Sequence, residues 1–426
     1  MALITLTGSQ VFSGGVLIGS PANNNAKLTD IISLYGVSRA FSIILDPETG
    51  VLHVSGDNTY GQLGLQYANE NEEAGITDTG TEDNPDYASW GLLDRDNNYF
   101  AGKAQKVLDI STGVKHALLL TSNGALYVMG SNRQGQLGYS DSRYNTVTTK
   151  ETGGPLKRNV MRAWAGGYYS WVMDFDGNVW TAGANESGQV GFYGSSYRAV
   201  FTMQTNIIDV NPDKVSLGYY HGAYITNAGD LMVLGYNRYG QVGTVYPTGT
   251  ASQNADPVLL DTGVDEIACG GAHTVYIKDG DLYALGHNYY GQLGDITAPT
   301  FLTHDATDTP VLVNIGATGI PVKVKCGSSH TLVLYDSGEL WGFGFNGYEQ
   351  MGVASDTNDA GGETTILSPT LILSDVVDFD TSATHTIIRR QVGQEIEYVV
   401  AGDNRSSQLY DDPEVSTKKN LETLVL

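Results

Sequence analysis

Five of the eight histidines occupy one recurring turn position: His116, His221, His273, His330 and His385. Imidazole is a frequent zinc ligand, so a ring of such side chains is the first chemistry to weigh. Zinc needs ligands that converge at about 2 Å. Repetition instead places equivalent atoms one per unit around a ring, so each histidine is expected to bond locally within its own repeat and no metal role is assigned. Asp94-Arg-Asp-Asn-Asn98 opens like a calcium loop. Its sixth position is Tyr99 where an EF-hand needs Gly, and its twelfth is Gln105 where one needs Glu. The acidic run with Glu70, Glu72, Glu73, Asp78, Glu82, Asp83 and Asp86 leaves calcium in another geometry as the lesser reading and a solvated loop as the preferred one. No Gly-x-Ser-x-Gly elbow, His-Glu-x-x-His helix or phosphate-binding loop occurs. The chain is therefore expected to be non-enzymatic, with no cofactor and no catalytic residue. Cys269 and Cys326 sit at the same point of neighbouring repeats, too far apart for a bridge, and read as small buried apolar residues.

The elements that carry these residues repeat. One phrase runs Gly56-Asp-Asn-Thr-Tyr-Gly-Gln-Leu-Gly64, and its relatives begin at Gly130, Gly183, Gly235, Gly286, Gly344 and Gly402. The last two are degraded. Each carries a glutamine at its seventh position: Gln62, Gln136, Gln189, Gln241, Gln292, Gln350 and Gln408. Upstream lie two alternating apolar stretches around a Gly-containing turn, such as Asp279-Gly280, which is a hairpin signal. The spacing of about 50 to 75 residues fits propeller blades better than helical solenoids. The glycines permit a tight reversal, the Asn caps nearby backbone, and the Gln is expected to bond backbone near the blade junctions. A phosphate loop is excluded because no helix follows.

These phrases, with Gly270-Gly-Ala-His-Thr274 and Gly327-Ser-Ser-His-Thr331, resemble the repeat of the RCC1 family, the regulator of chromosome condensation. The resemblance spans about residues 28 to 426. It departs at Arg39 and Tyr169, which are read as standing where the first and third repeats should have histidine. It implies an all-β, seven-bladed propeller. It also implies a possible inherited activity, guanine-nucleotide exchange on a small GTPase with chromatin binding, which the founding family member has.

Ring closure is expected from pairing of the two chain ends. Asn420–Leu426 resembles Ser368–Leu373, the segment ahead of the last inner strand. The first inner-strand segment, 28–35, lacks such a predecessor, so the C-terminal strand is expected to supply it. The division is then an N-terminal arm and linker over 1–27 and a propeller over 28–426, with a long acidic insertion at about 65–104. The arm is β-prone, and two fates stand open for it: folding back as an extra strand or docking on another subunit.

The formal net charge of −24 disfavours nucleic acid and anionic membranes, and it favours a soluble surface. No apolar run approaches the roughly 18 residues that span a bilayer. The N-terminus lacks a basic region ahead of an apolar one, so no secretory signal is recognised, and a virion or cytoplasmic location is expected. The Asn185 and Asn404 sequons are read as chance matches. The leading expectation is a structural or interaction propeller, an accessory subunit of an assembly such as a phage virion. Its partners would be other protein subunits, met through Tyr87, Trp90 and Tyr99 in the acidic insertion. The alternatives are nucleotide exchange and glycan binding by the same exposed aromatics. Trp164, Trp171, Trp180 and Trp341 are expected inside blades.

Overall fold

The computed structural model describes most of residues 107–138, 158–243, 254–294, 306–354 and 364–405, with shorter stretches within 4–17, 41–63, 86–92, 146–151, 357–358 and 417–424. The described residues form strands and turns without helix.

The repeats form antiparallel meanders, in chain order except that the sixth has an extra short strand, Thr357–Asn358, outside its outer strand. The fifth shows the plan: Val264–Cys269, His273–Lys278, Asp281–His287 and Ala306–Val313 pair in that sequence. Asp279-Gly280 makes the central turn, with Asp279 at φ 53° and Gly280 at φ 81°. That left-handed backbone is what Gly and Asp tolerate. At or one residue before the end of the third strand every repeat has a glycine at φ 102–116°, from Gly56 to Gly402. At Gly130 a Cβ would lie 2.4 Å from the Lys115 carbonyl, so nothing larger fits.

Six blades have four or more strands, and the sixth repeat's has five. The expected seventh is not complete among the described residues. The first repeat gives three strands, Phe41–Leu45, Leu52–Asp57 and Asp86–Leu92, and its anticipated inner strand at 28–35 lies outside the described residues. The first strands of successive blades pack side by side, which makes them the inner strands of the ring. Arg162 meets Asp213 at 2.9 Å and Lys214 meets Glu266 at 2.6 Å across neighbouring inner strands, and Lys323 pairs with Asp378 in the same way.

Between blades lie apolar seams. Leu118, Leu120 and Leu126 of the second repeat pack on Val160, Ala163 and Val172 of the third, for example. Trp171 is fully buried in the next seam, while Trp164, Trp180 and Trp341 pack against such clusters in part, inside the blades as expected. Cys269 and Cys326 are buried and unbridged. Burial in apolar surroundings pushes the Cys269 thiol up to about 12.

Closure differs from expectation. Strand Thr417–Leu424 pairs with Glu395–Asp403 and completes the last repeat's own blade. Among the described residues it shares no ladder with the first repeat. Without it the nine-residue strand Glu395–Asp403 would present a bare edge, a liability that natural sheets cover. The first and last repeats meet instead through side chains, with Ser42 Oγ 3.0 Å from His385 Nε2. Among the described residues, strands Ile4–Leu6, Gln10–Ser13 and Val16–Leu17 pair with one another and with no other strand.

Candidate functional site

The recurring histidine opens the second strand of its blade, facing the glycine that ends the third: His116 opposite Gly130, His273 opposite Gly286. All five ring histidines are fully buried. Bonds within the repeat, which were expected, occur at His385, whose Nδ1 lies 2.9 Å from Ser382 Oγ, and at His330, whose Nδ1 lies 3.5 Å from Gln350 Nε2, but they are not the feature common to the five. Each reaches a hydroxyl of the next repeat: His116 Nε2 to Ser170 Oγ at 3.0 Å, His221 to Thr274 at 3.0 Å, His273 to Thr331 at 3.1 Å, and His330 to Thr381 at 2.8 Å.

The hydroxyl completes a relay. Ser170 Oγ donates to the Gln136 carbonyl at 2.7 Å, and Thr274 and Thr331 donate to the Gln241 and Gln292 carbonyls at 2.8 Å. A hydroxyl has one proton, so it must accept from the imidazole. At these three seams the network therefore places the proton of His116, His221 and His273 on Nε2. Burial holds the rings neutral, lowering His116, His273 and His330 to about 3 and His221 and His385 to about 4. The atoms are spread around the ring, and among the described residues no group of three or more histidine, cysteine or acidic side chains could hold a metal.

Two repeats depart from histidine. Tyr169 takes the position in the third, and its hydroxyl donates to the His221 carbonyl at 2.6 Å. In the first, the residue opposite the strand-ending Gly56 is Phe41, not Arg39. Arg39 lies outside the described residues. Arg39 follows Gly36 as His273 follows Gly270, yet the pairing register falls two residues later, at Phe41.

The phrase glutamines are buried as expected and bond backbone, but of their own loop. Gln136 Oε1 accepts from Gln134 N at 2.9 Å, and Gln62, Gln189, Gln241, Gln292 and Gln350 repeat the bond at 2.8–3.1 Å. Gln350 alone of these also reaches the next repeat's backbone, at the Ala383 carbonyl 3.4 Å away. Gln408 lies outside the described residues. The phrase asparagine caps the same loop: Asn237 Oδ1 accepts from Val242 N at 3.0 Å. Replacing the buried Gln241 with alanine removes the partner of the part-buried Tyr239 amide, and the expected cost is about 1 kcal/mol in urea unfolding. An unchanged midpoint would show the glutamine to be dispensable.

The residues with functional potential lie on the ring face above the histidines. There the turns after the first strands and the phrases after the third come together. Rings from four successive repeats touch in an unbroken series: Tyr168, Tyr219, Tyr220, Tyr236, Tyr239, His287, Tyr289, Tyr290, Phe345 and Tyr348, with centroids 4.1–6.5 Å apart. All are half-buried. Cations ride on this aromatic surface. Arg238 lies 5.8 Å from the Tyr239 centroid, Arg405 5.1 Å from that of Tyr348, and Lys115 and Arg133 stand over Tyr60 at 4.4 and 5.2 Å. Asp403 binds Arg405 at 2.8 Å. Glu186 and Glu349 add carboxylates, so the rim is close to neutral. The opposite face is different. Its turns expose Asp176, Asp279, Asp281, Asp336 and Asp375.

Sequence reasoning placed the contact aromatics elsewhere. Tyr87 and Trp90 lie on strand Asp86–Leu92, where Tyr87 pairs opposite Gly56, so this part of the insertion is sheet and not a projecting loop. Tyr99 lies outside the described residues. The rim was missed because its rings come from the variable positions of the phrase and turn. Their signal is the recurrence of Tyr at those positions, as in Tyr236, Tyr239, Tyr289 and Tyr290.

A family model of the regulator of chromosome condensation (RCC1) repeat matches residues 279–334, and a second model of the same repeat matches 107–136 and 322–350. The ultraviolet-B receptor UVR8 of Arabidopsis thaliana is 28% identical over 262 residues, which cover 59% of this chain and 57% of the receptor. The X-linked retinitis pigmentosa GTPase regulator of Homo sapiens is 28% identical over 297 residues, covering 57% of this chain and 28% of that protein. The chain thus spans little more than half of the first relative and about a quarter of the second. Among solved structures, Prp20p of Saccharomyces cerevisiae superposes with a TM-score of 0.72 at 17% identity, covering 88% of this chain and 85% of that one. Human WBSCR16 gives 0.70 at 19% identity, covering 88% and 95%.

Proposed function

We propose that this chain, a β-propeller built of RCC1-type repeats, is a non-enzymatic protein-interaction platform whose binding face is the tyrosine-lined rim. One observation carries the reading: the unbroken aromatic series across four repeats, flanked by arginines. Tyr and Arg are enriched at binding hot spots, and tyrosine offers contact area at small entropic cost. The relatives are consistent with it. Prp20p is described with binding properties to Gsp1p and histones, and in a second structure Prp20 is bound by Kap60. A virion subunit draws no support from these relatives.

The ring that presents the rim is read as seven-fold, with the first repeat's sheet in the seventh place. Supporting this, Ser42 meets His385 as hydroxyls meet histidines at the other seams.

The test is affinity capture from the source cells with the full chain and with the double variant Tyr239→Ala/Tyr289→Ala. A hot spot of about 2 kcal/mol weakens binding roughly 30-fold. Loss of a captured protein at unchanged melting temperature is the expected result. Equal recovery would place the interface elsewhere.

A second reading, guanine-nucleotide exchange on a small GTPase, is favoured by the similarity to a protein named as a GTPase regulator. Release of a fluorescent guanine nucleotide from a panel of small GTPases decides it. No acceleration by the chain removes this reading.

A further inference from the structure

The inner strands are bulged near their starts. In the fifth, sixth and last repeats the pairing shifts between Val264 and Glu266, between Pro321 and Lys323, and between Val376 and Asp378. The residues stepped out of the ladder are Asp265, Val322 and Val377. A bulge re-aims its side chains. All three residues are exposed, Val322 by 45% and Val377 by 40%. First strands run towards the rim, so their starts lie on the opposite, aspartate-bearing face. Lys323 pairs with Asp378 and donates to the Phe379 carbonyl at 2.7 Å. Those bonds set the sixth and last inner strands side by side, with Val322 next to Val377.

Ile320, two residues ahead of Val322, extends this apolar surface and is 53% exposed. Its surroundings are acidic, and the fold places each carboxylate. The Ile320 amide donates to Asp336 Oδ1 at 3.0 Å, and the Ile320 carbonyl accepts from Asp336 N at 3.0 Å. The turn after Asp336 abuts Asp375. Val376 N donates to the Gly338 carbonyl at 3.0 Å, and a Cβ on Gly338 would lie 3.6 Å from the Asp375 Cα. Asp265 stands at the equivalent of Val322 on the preceding blade. Asp265, Asp336 and Asp375 are exposed, and none forms an ion pair with a lysine or arginine among the described residues. Lys323 and Lys325, on the same inner strand as Val322, are matched already by Asp378 and Asp380.

We propose that Ile320, Val322 and Val377 form a second docking site, on the face opposite the rim, for a segment of a partner protein that carries an apolar anchor between lysines or arginines. Apolar anchors supply affinity at the centre of an interface, and complementary charges around them select the partner and speed encounter. Here the centre is three aliphatic side chains, and the border is Asp265, Asp336 and Asp375 with no cation to balance them. An acidic or neutral segment would leave those carboxylates facing like charge or nothing. A second copy of this chain would bring a net charge of −24 to the same place, which disfavours it as the occupant. The two faces then differ in chemistry, a near-neutral tyrosine rim on one and an acid-bordered aliphatic patch on the other, and they suit different partners.

The experiment uses the full chain and three fluorescent peptides. The first has an Ile-Val-Ile centre between paired lysines, the second a Ser-Thr-Ser centre between the same lysines, and the third the Ile-Val-Ile centre between paired glutamates. Anisotropy should show saturable binding of the first and roughly tenfold weaker binding of the other two. Val322→Ser/Val377→Ser and Asp336→Asn/Asp375→Asn should each weaken the first peptide roughly tenfold. Asp176→Asn/Asp209→Asn removes the same charge elsewhere on this face and should leave its binding unchanged, as should Tyr239→Ala/Tyr289→Ala on the rim. Melting of every variant is followed alongside. If the valine variant does not fold, the serine-centred peptide and the asparagine pair still decide. The proposal is overturned by absence of saturable binding, or by equal binding of the Ile-Val-Ile and Ser-Thr-Ser peptides. It is overturned as well by an equal loss in Asp176→Asn/Asp209→Asn, which would make the attraction diffuse, and by a loss in the tyrosine variant, which would place the peptide on the rim. Self-association of the chain that Val322→Ser/Val377→Ser abolishes would give the patch to a second copy and overturn it too.

Discussion

Lowering the pH from 7 to 5 at low urea is expected to unfold the propeller, with an uptake approaching five protons. His116, His221, His273, His330 and His385 are held at about 3 to 4 by burial, whereas in an unfolded chain each would titrate near 6.5. Below that value the unfolded state binds more protons than the native one. The contribution is therefore full above about pH 6.5 and is lost as the pH falls towards 3–4. At pH 5 each histidine forfeits about 2 kcal/mol, and five forfeit at most about 10, comparable with the whole stability of a typical domain. The depressed carboxyls of Asp261, bonded by Lys278, and Asp378, beside Lys323, add their loss only at lower pH. Relief of the acidic surface also waits for carboxylate protonation, below about pH 4.5. Urea unfolding followed by circular dichroism from pH 7.5 to 4.5 measures the slope, and His273→Gln should reduce the proton uptake by about one. A urea midpoint that is the same at pH 7 and pH 5 would contradict this account of the seams.

Thr274→Val is expected to be among the most costly isosteric changes in the molecule. The threonine hydroxyl accepts from His221 Nε2 at 3.0 Å and donates to the Gln241 carbonyl at 2.8 Å, fully buried between two blades. Valine keeps the shape and leaves a donor and an acceptor unpaired in the seam. At about 1–3 kcal/mol for each orphaned group, the loss is about 2–6 kcal/mol. Thr274→Ser keeps the hydroxyl and should recover most of it. Thermal and urea melts of the pair make the comparison. If valine and serine behave alike, the relay contributes little, and apolar packing alone holds the seam.

The local parts of this fold could be read from residue types. Asp279-Gly280 had to turn, and the Gly-x-Asn phrase had to make a capped loop, because those bonds close within a few residues. The unbridged cysteines followed from their equivalent places in neighbouring repeats. What could not be read were bonds between units. His116 and Ser170 are 54 residues apart, and nothing local marks one as the partner of the other. The glutamines show the same limit in reverse: an inter-blade role was expected, yet the side-chain carbonyl serves its own loop two residues back, and the backbone carbonyl makes the junction. The insertion misled for a different reason. Its length suggested a projecting loop, whereas Asp86–Leu92 is an outer strand delayed by the long segment before it. The rim lay in positions that vary from repeat to repeat, so attention to the constant positions passed over it.

The closing contact between Ser42 and His385 joins residues 343 apart, whereas the corresponding contact at an interior seam joins residues 54 apart. Bringing together the ends of a flexible segment costs entropy that grows as the logarithm of its length. On that scale the closing seam costs about 1.6 kcal/mol more than an interior one. Every backbone ladder among the described residues, by contrast, is made within a single sheet of consecutive strands. The blades can therefore order one after another as they leave the ribosome, while circular closure must wait for the last of them. Until that moment the chain is an open arc with two bare apolar ends, and that interval is when aggregation competes with folding.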